Sequence, residues 1–205
     1  MIKPSRKPYG YRDLMVYKKA EHLQSACSDL THQFPRMKTL IALADQMDRS
    51  ARSVKQNIVE GWKRNSTKEY YDFLGFSMGA NSELEEDCDD ICKGMYPELM
   101  GIRGIMGEKG LKGINIEMLR FYPVTETLPP VVRLKLHCRE LNFLFDKLQK
   151  SLLTKMESER SLPSRDMFQL QEQQFRKNDT IEGELLKQYG LKRLENGQVV
   201  KDEGH

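Results

Sequence analysis

The amino-acid sequence predicts an all-α protein: a bundle of four amphipathic helices, with a glycine-containing insertion between helices 3 and 4 and a short helical C-terminal extension. Three observations lead there. Apolar residues recur every three or four positions through four long runs, the spacing of one helix face. Residues that start and stop helices bracket those runs. The third is composition: 31% charged against 8% aromatic residues suits helices with wide solvated faces.

The first run places Val16, Ala20, Leu23, Cys27, Leu30 and Phe34 in strict four-three alternation, after Asp13 as N-cap and before Pro35 as stop. The second, Leu40, Leu43, Met47, Ser50/Ala51, Val54, Ile58 and Gly61, keeps the spacing and puts small residues mid-seam, where helices can approach closely. Gly61 is read as its terminator. Ser66 with Glu69 forms an S-x-x-E capping box, and the third run follows as Tyr70, Phe73, Ser77, Ala80, Leu84, Cys88 and Ile91, stopping at Gly94. The fourth, entered through Pro129 and Pro130, is Leu134, Cys138, Leu141, Phe145, Leu148 and Leu152. Four such helices imply a bundle.

Two stretches fall outside this pattern. The insertion, residues 94–130, contains GIRGIMGEKGLKG, whose glycine run is too short for collagen. Its GEKG at 107–110 imitates a G-x-x-G nucleotide clamp without the strand and helix context that clamp requires, so it reads as a flexible loop. Met95, Met100 and Met106 there suggest an adaptable apolar surface. From Pro163 the chain offers a helix over about 165–177 and a second opened by Asp179 and Glu182 and ending at Gly190, then a turn at Asn196-Gly197 and a frayed tail. The expected organisation is therefore an N-terminal arm (1–10), a bundle (11–160) and a C-terminal extension (161–205).

Charge is blocked rather than strong. The net value is +3, yet residues 1–66 carry 13 Lys/Arg against 6 Asp/Glu, while residues 67–98 carry 2 against 9. There is no apolar run long enough to span a membrane and no signal-peptide core in MIKPSRKP, so a cytoplasmic protein is expected. The four cysteines, Cys27, Cys88, Cys92 and Cys138, lie in helical patterns without disulfide-scaffold spacing and read as packing thiols.

"YRDLMVYKKA" (11–20), "LTHQFP" (30–35), "DQMDRSARSVKQNIVEGWKRNSTKEYYDFL" (45–74) and "SELEED" (82–87), in that order, resemble the bacterial four-helix-bundle proteins first noted as reading frames inside 23S rRNA intervening sequences. The resemblance is close over residues 11–94 and holds in pattern only for the fourth helix. It implies an up-down antiparallel bundle, often a homopentamer, with no recognised enzymatic activity and no cofactor. The accessory variability proteins of diversity-generating retroelements share that fold and bind nucleic acid and a reverse transcriptase. The resemblance thus brings RNA or DNA, and a reverse transcriptase, into view as partners.

On a helical wheel, Arg49, Arg52, Gln56 and Lys63 face away from the second helix's seam, with Lys55 nearby; Lys135, Arg139 and Lys150, with Phe143 among them, do the same on the fourth. Each stripe can be a plain solvated face, a surface for phosphates with Phe143 free to stack on a base, or a contact for the acidic third helix of a neighbouring copy. In a pentamer, five copies of +3 sum to +15, enough for salt-sensitive binding. No base-reading motif is visible, so sequence specificity is not expected.

Gln46, Arg49, Ser53, Asn57 and Glu60 lie along one flank of the second helix, and Glu83 and Glu86 lie on the third where an arginine could pair with one of them. This flank reads as a polar seam that fixes helix register or a subunit contact. At its end Gly61 stops the helix and Trp62 plugs the bundle, with Trp62, Lys63 and Arg64 a secondary candidate for nucleic-acid backbone contact.

Catalysis is not expected. Glu83, Glu85, Glu86, Asp87, Asp89 and Asp90 surround their helix rather than converging, and no Glu-x-x-His pair of the di-iron kind accompanies them. Cys88 and Cys92 with His137 and Cys138 would make a zinc site only if seam thiols turned outward. None of the four histidines belongs to a Ser/His/Asp or Cys/His arrangement, and no phosphate loop of the G-x-x-x-x-G-K-[ST] kind exists.

Overall fold

The computed structural model describes residues 9–160, 164–194 and 198–202. Their architecture is mostly helical, with six α-helices among the described residues: α1 (Met15–Thr31), α2 (Lys38–Lys63), α3 (Thr67–Cys92), α4 (Arg103–Met106), α5 (Pro130–Arg160) and α6 (Ser164–Gln188). A two-stranded antiparallel hairpin, β1 (Leu191–Arg193) and β2 (Val199–Lys201), departs from the all-α expectation. The predicted turn at Asn196-Gly197 lies outside the described residues, between those strands.

Of the long helices, α2 packs on α1 and α3, and α5 packs on α3 and α1. The buried face of α1 holds Val16, Ala20, Leu23, Cys27 and Leu30 of the six residues its periodicity singles out, and the sixth, Phe34, is buried just beyond the helix end. Its start differs from expectation. Gly10–Asp13 forms a 3-10 turn, Leu14 takes the N-cap position, and Asp13 caps nothing. In α3 the Ser66 cap is made as predicted: the Glu69 amide donates to Ser66 Oγ at 3.1 Å and Ser66 Oγ donates back to the Glu69 carboxylate at 3.0 Å.

The α3 seam is rotated slightly from the predicted one. Leu74 and Asn81 are fully buried, whereas Phe73 and Ala80 are half-buried on its edge, because α2 and α5 approach from two sides and widen the buried arc. The helix ends at Gly94 (φ +81°) in a Schellman motif: the Gly94 amide donates to the Ile91 carbonyl at 3.0 Å and the Met95 amide to the Asp90 carbonyl at 3.1 Å.

Gly61 is not the terminator read from sequence. It is helical, and α2 continues to Lys63. A Cβ at Gly61 would lie 2.7 Å from Phe73 Cβ and 2.9 Å from Tyr70 Cδ2, so the glycine permits close approach of α2 and α3. Trp62 meets Tyr70 edge-on with ring centroids 6.0 Å apart, as a plug at that end of the helices would.

The insertion is part of the core. Leu99, Ile105 and Met106 are at most 2% exposed and join the cluster formed by the long helices, with Ile116, Leu119 and Phe121 packed against its edge. Met106 therefore belongs to no adaptable surface, while Met95 and Met100 are exposed. With this cover the first turns of α5 are enclosed on every side: Val131, Val132, Leu134, Lys135, Leu136 and Cys138 are all buried, and Arg133 and His137 are half-buried. A helix buried on every side loses the amphipathic signature, so its seam alone underestimated what it touches.

Cys27, Cys88 and Cys138 are completely buried, as packing thiols should be, and burial pushes all three thiols up. Half-buried Cys92 is pushed to about 11 by burial and by Asp89, against the opposing pull of Lys135. In the extension α6 is a single helix. Asp179 and Glu182 sit inside it and cap nothing. No helix among the described residues is long and apolar enough to cross a membrane.

Candidate nucleic-acid interface

The two predicted basic stripes have different fates. On α5, Lys135, Arg139 and Asn142 follow one another at helical spacing and meet Asp89, Glu85 and Asn81 on α3. The Lys135 ammonium pairs with Asp89 and lies 3.4 Å from Glu117. Arg139 Nε donates to Glu85 at 3.0 Å, its Nη2 to Glu117 at 3.1 Å, and its Nη1 to the Ile116 carbonyl at 3.3 Å. Asn81 Nδ2 donates to Asn142 Oδ1 and to the Cys138 carbonyl, each at 2.8 Å, and Asn142 donates to Glu85 at 3.2 Å. Partner numbers fall on α3 as they rise on α5, so these two helices run antiparallel in a register set by polar pairs.

Lys135 and Arg139 are therefore no part of a free cationic stripe. Lys135 is 3% exposed, and Arg139 is clamped between α3 and the 3-10 turn Ile116–Met118 of the insertion. The insertion covers the α5 face that a helical wheel of α5 alone leaves open. Electrostatics follow the geometry. Glu117 is held below its usual range by Arg139 first and then Lys135. Burial pushes Asp89 up, but hydrogen bonds from Lys135 and Lys93 outweigh it and the net direction is down.

Phe143 is 44% exposed, with the Lys147 ammonium 4.3 Å from its ring centroid. Phe121 of the insertion packs on it at 5.5 Å, so part of the ring is covered rather than free for a base. Lys150 is exposed and paired with Asp146 at 2.6 Å within its own helix.

The α2 stripe stays open. Arg49 and Arg52 are exposed and Lys55 is half-buried. Arg49 pairs with Asp45 on its own helix at 2.6 Å, while Arg52 and Lys55 form no ion pair among the described residues. At the α2 end, the Lys63 ammonium sits 4.7 Å from the Tyr9 ring centroid, and Arg64 lies over Phe73 at 4.4 Å and 3.6 Å from Glu60.

The polar flank of α2 is only partly a seam. Ser50, counted among the apolar seam positions, donates to Glu83 at 3.2 Å and lies 3.5 Å from Gln46 Nε2. Arg49 does not reach Glu83 or Glu86, because Asp45 one turn away holds it. Asn57 is half-buried and Glu60 exposed. A second α2–α3 tie is Ser77 Oγ, which donates to the Val54 carbonyl at 3.1 Å. The Asn81–Asn142–Glu85–Arg139–Glu117 chain escaped sequence reasoning, since its members lie far apart in sequence. The one signal was Asn81 at core spacing after Leu74 and Ser77.

Residues 12–93, the span of α1 to α3, match the model of the 23S rRNA-intervening sequence protein family, to which this part of the chain is similar. No curated protein and no solved structure matches the chain.

Proposed function

We propose that this chain is a cytoplasmic, non-catalytic, self-associating up-down four-helix bundle that binds RNA or DNA through the outward face of α2, as an accessory subunit of a nucleic-acid enzyme such as a reverse transcriptase. The observation that carries the proposal is the α2 face: Arg49, Arg52 and Lys55 lie along one helix inside the family-matched segment, and two of the three are not neutralised by a carboxylate. Uncommitted cations release counterions when they meet phosphates, which is the main source of sequence-independent affinity. A homopentamer would repeat the face around a ring and make weak contacts additive.

The test is a salt titration of single-stranded RNA and duplex DNA binding. Binding at low salt that weakens steeply with added salt, and that drops at least tenfold in the Arg52→Glu/Lys55→Glu variant, is expected; each charge-assisted contact is worth about that factor. Absence of binding at low salt, or indifference to the double reversal, refutes the assignment of α2. Sedimentation equilibrium tests self-association, which a monomer at all concentrations would exclude.

The alternative, a protein-only scaffold or interaction module that uses the insertion and the C-terminal extension, is favoured by one observation. Phe168 and Phe175, seven residues apart on α6, and Tyr189 just beyond it are each about two-thirds exposed or more. Aromatic side chains so placed suit a protein partner better than phosphates. Retention of a partner by the full chain but not by a Phe168→Ser/Phe175→Ser variant, with no nucleic-acid binding, would select this reading.

A further inference from the structure

Beside the start of α5 the insertion forms an open cleft of about 510 Å³, within the range of small-ligand sites. Its walls come from residues 107–112 on one side and 126–133 on the other. Four cations line it, Arg103, Lys109, Lys112 and Arg133, against two carboxylates, Glu108 and Glu126.

The carboxylates are already engaged: Glu108 by Arg103 and Glu126 by Arg133. Lys109 and Lys112 form no ion pair among the described residues, so the uncompensated charge of the cleft is theirs. Arg133 also lines the cleft, its side chain part-exposed and its Nη1 paired with Glu126. Gly107 and Gly110 have φ of +69° and +60°, and Gly110 leaves open space where a side chain would stand. That lets a ligand approach the backbone closely. The cleft also adjoins the N-terminal end of a 31-residue helix, whose dipole favours negative charge.

From these features we infer that the cleft binds a terminal phosphate or polyphosphate group through Lys109 and Lys112, with Arg133 as a further donor. The phosphate could belong to a free nucleoside polyphosphate or to the 5′ end of a nucleic-acid strand. In the second case the inference deepens the nucleic-acid reading and rests on it; in the first it stands alone. Lys109 and Lys112 are both exposed, and their reversal disturbs no buried contact.

The test uses the full chain and three probes: inorganic tripolyphosphate, a nucleoside triphosphate, and one single-stranded oligonucleotide with either a 5′-phosphate or a 5′-hydroxyl. Tripolyphosphate is expected to bind at low salt and to bind at least tenfold more weakly to Lys109→Glu/Lys112→Glu, the factor that follows from removing a charge-assisted hydrogen bond. Arg52→Glu/Lys55→Glu should leave it unchanged. Preference for the phosphorylated strand identifies a nucleic-acid end as the source, and triphosphate binding without that preference identifies a free nucleotide.

The inference is overturned if tripolyphosphate does not bind, or binds the lysine variant equally well. Strands bound with no 5′-phosphate preference and no tripolyphosphate binding would sink the cleft and leave the α2 reading standing. Tripolyphosphate bound by a chain that ignores strands would do the reverse.

Discussion

Replacing Arg139 with glutamate separates a binding residue from a structural one. Read on the helical wheel, Arg139 contributes to a surface stripe, and its reversal should abolish nucleic-acid binding without touching the fold. In the structure its guanidinium joins Glu85 on α3 to Glu117 and the Ile116 carbonyl of the insertion, with side chains of Arg139 and Glu85 only 21% and 19% exposed. Removing one partner of a mostly buried pair costs about 3–5 kcal/mol, and some exposure puts Arg139 toward the lower end. A carboxylate in its place would stand beside Glu85 and Glu117, and like charges about 4 Å apart near a surface repel by up to about 4 kcal/mol before salt screening.

The expected loss for Arg139→Glu is therefore about 3–5 kcal/mol, a large share of the roughly 5–15 kcal/mol that holds a domain together. With a urea slope of about 2–3 kcal/mol/M for a chain of this size, the midpoint should fall by about 1–2 M. Helical circular dichroism followed through urea measures it, and limited proteolysis within 94–130 reports release of the insertion. Lys150→Glu is the control. Its side chain is 71% exposed and paired only within its own helix, so a change of about 0.5 kcal/mol or less is expected. An Arg139→Glu midpoint equal to wild type, with nucleic-acid affinity lost, would refute the structural assignment and restore the stripe.

Two further substitutions test the core. Gly61→Ala should gain about 1 kcal/mol of helix propensity but lose about 2–3 kcal/mol to overpacking, the upper part of the usual range because Phe73 Cβ at 2.7 Å cannot swing aside, for a net loss of about 1–2 kcal/mol; a rise in the thermal midpoint would show that α2 and α3 are not in contact there. Asp87 is pushed from 3.8 to about 6 by burial, then by Asp90 and Glu83, and its Oδ2 is buried without a partner. A raised folded value means that the carboxyl stabilises fully below about pH 4 and that this contribution is lost as pH rises through 6. Discounted for partial exposure, Asp87→Asn should be about 1–2 kcal/mol more stable than wild type at pH 7.5, with the advantage vanishing near pH 4. Urea melts across that range check it, and an advantage independent of pH would contradict the burial argument.

The sequence by itself determined the local and periodic features. Helix period, the Ser66–Glu69 box, the Gly94 stop and the inward cysteines each depend on residues within a few turns of one another, and all appear in the structure. Tertiary structure decided what covers the outer faces. Lys135 and Arg139 point away from their own helix's seam and are nevertheless held by α3 and the insertion, because a helical wheel contains no information about a segment that folds back from elsewhere. Gly61 shows the same division at one residue: its type signals freedom from a side chain, but only the position of Phe73 and Tyr70 says whether that freedom serves backbone conformation or packing. Contacts between residues far apart in sequence arise from the closure of the whole core, and periodicity, which is local, cannot encode them.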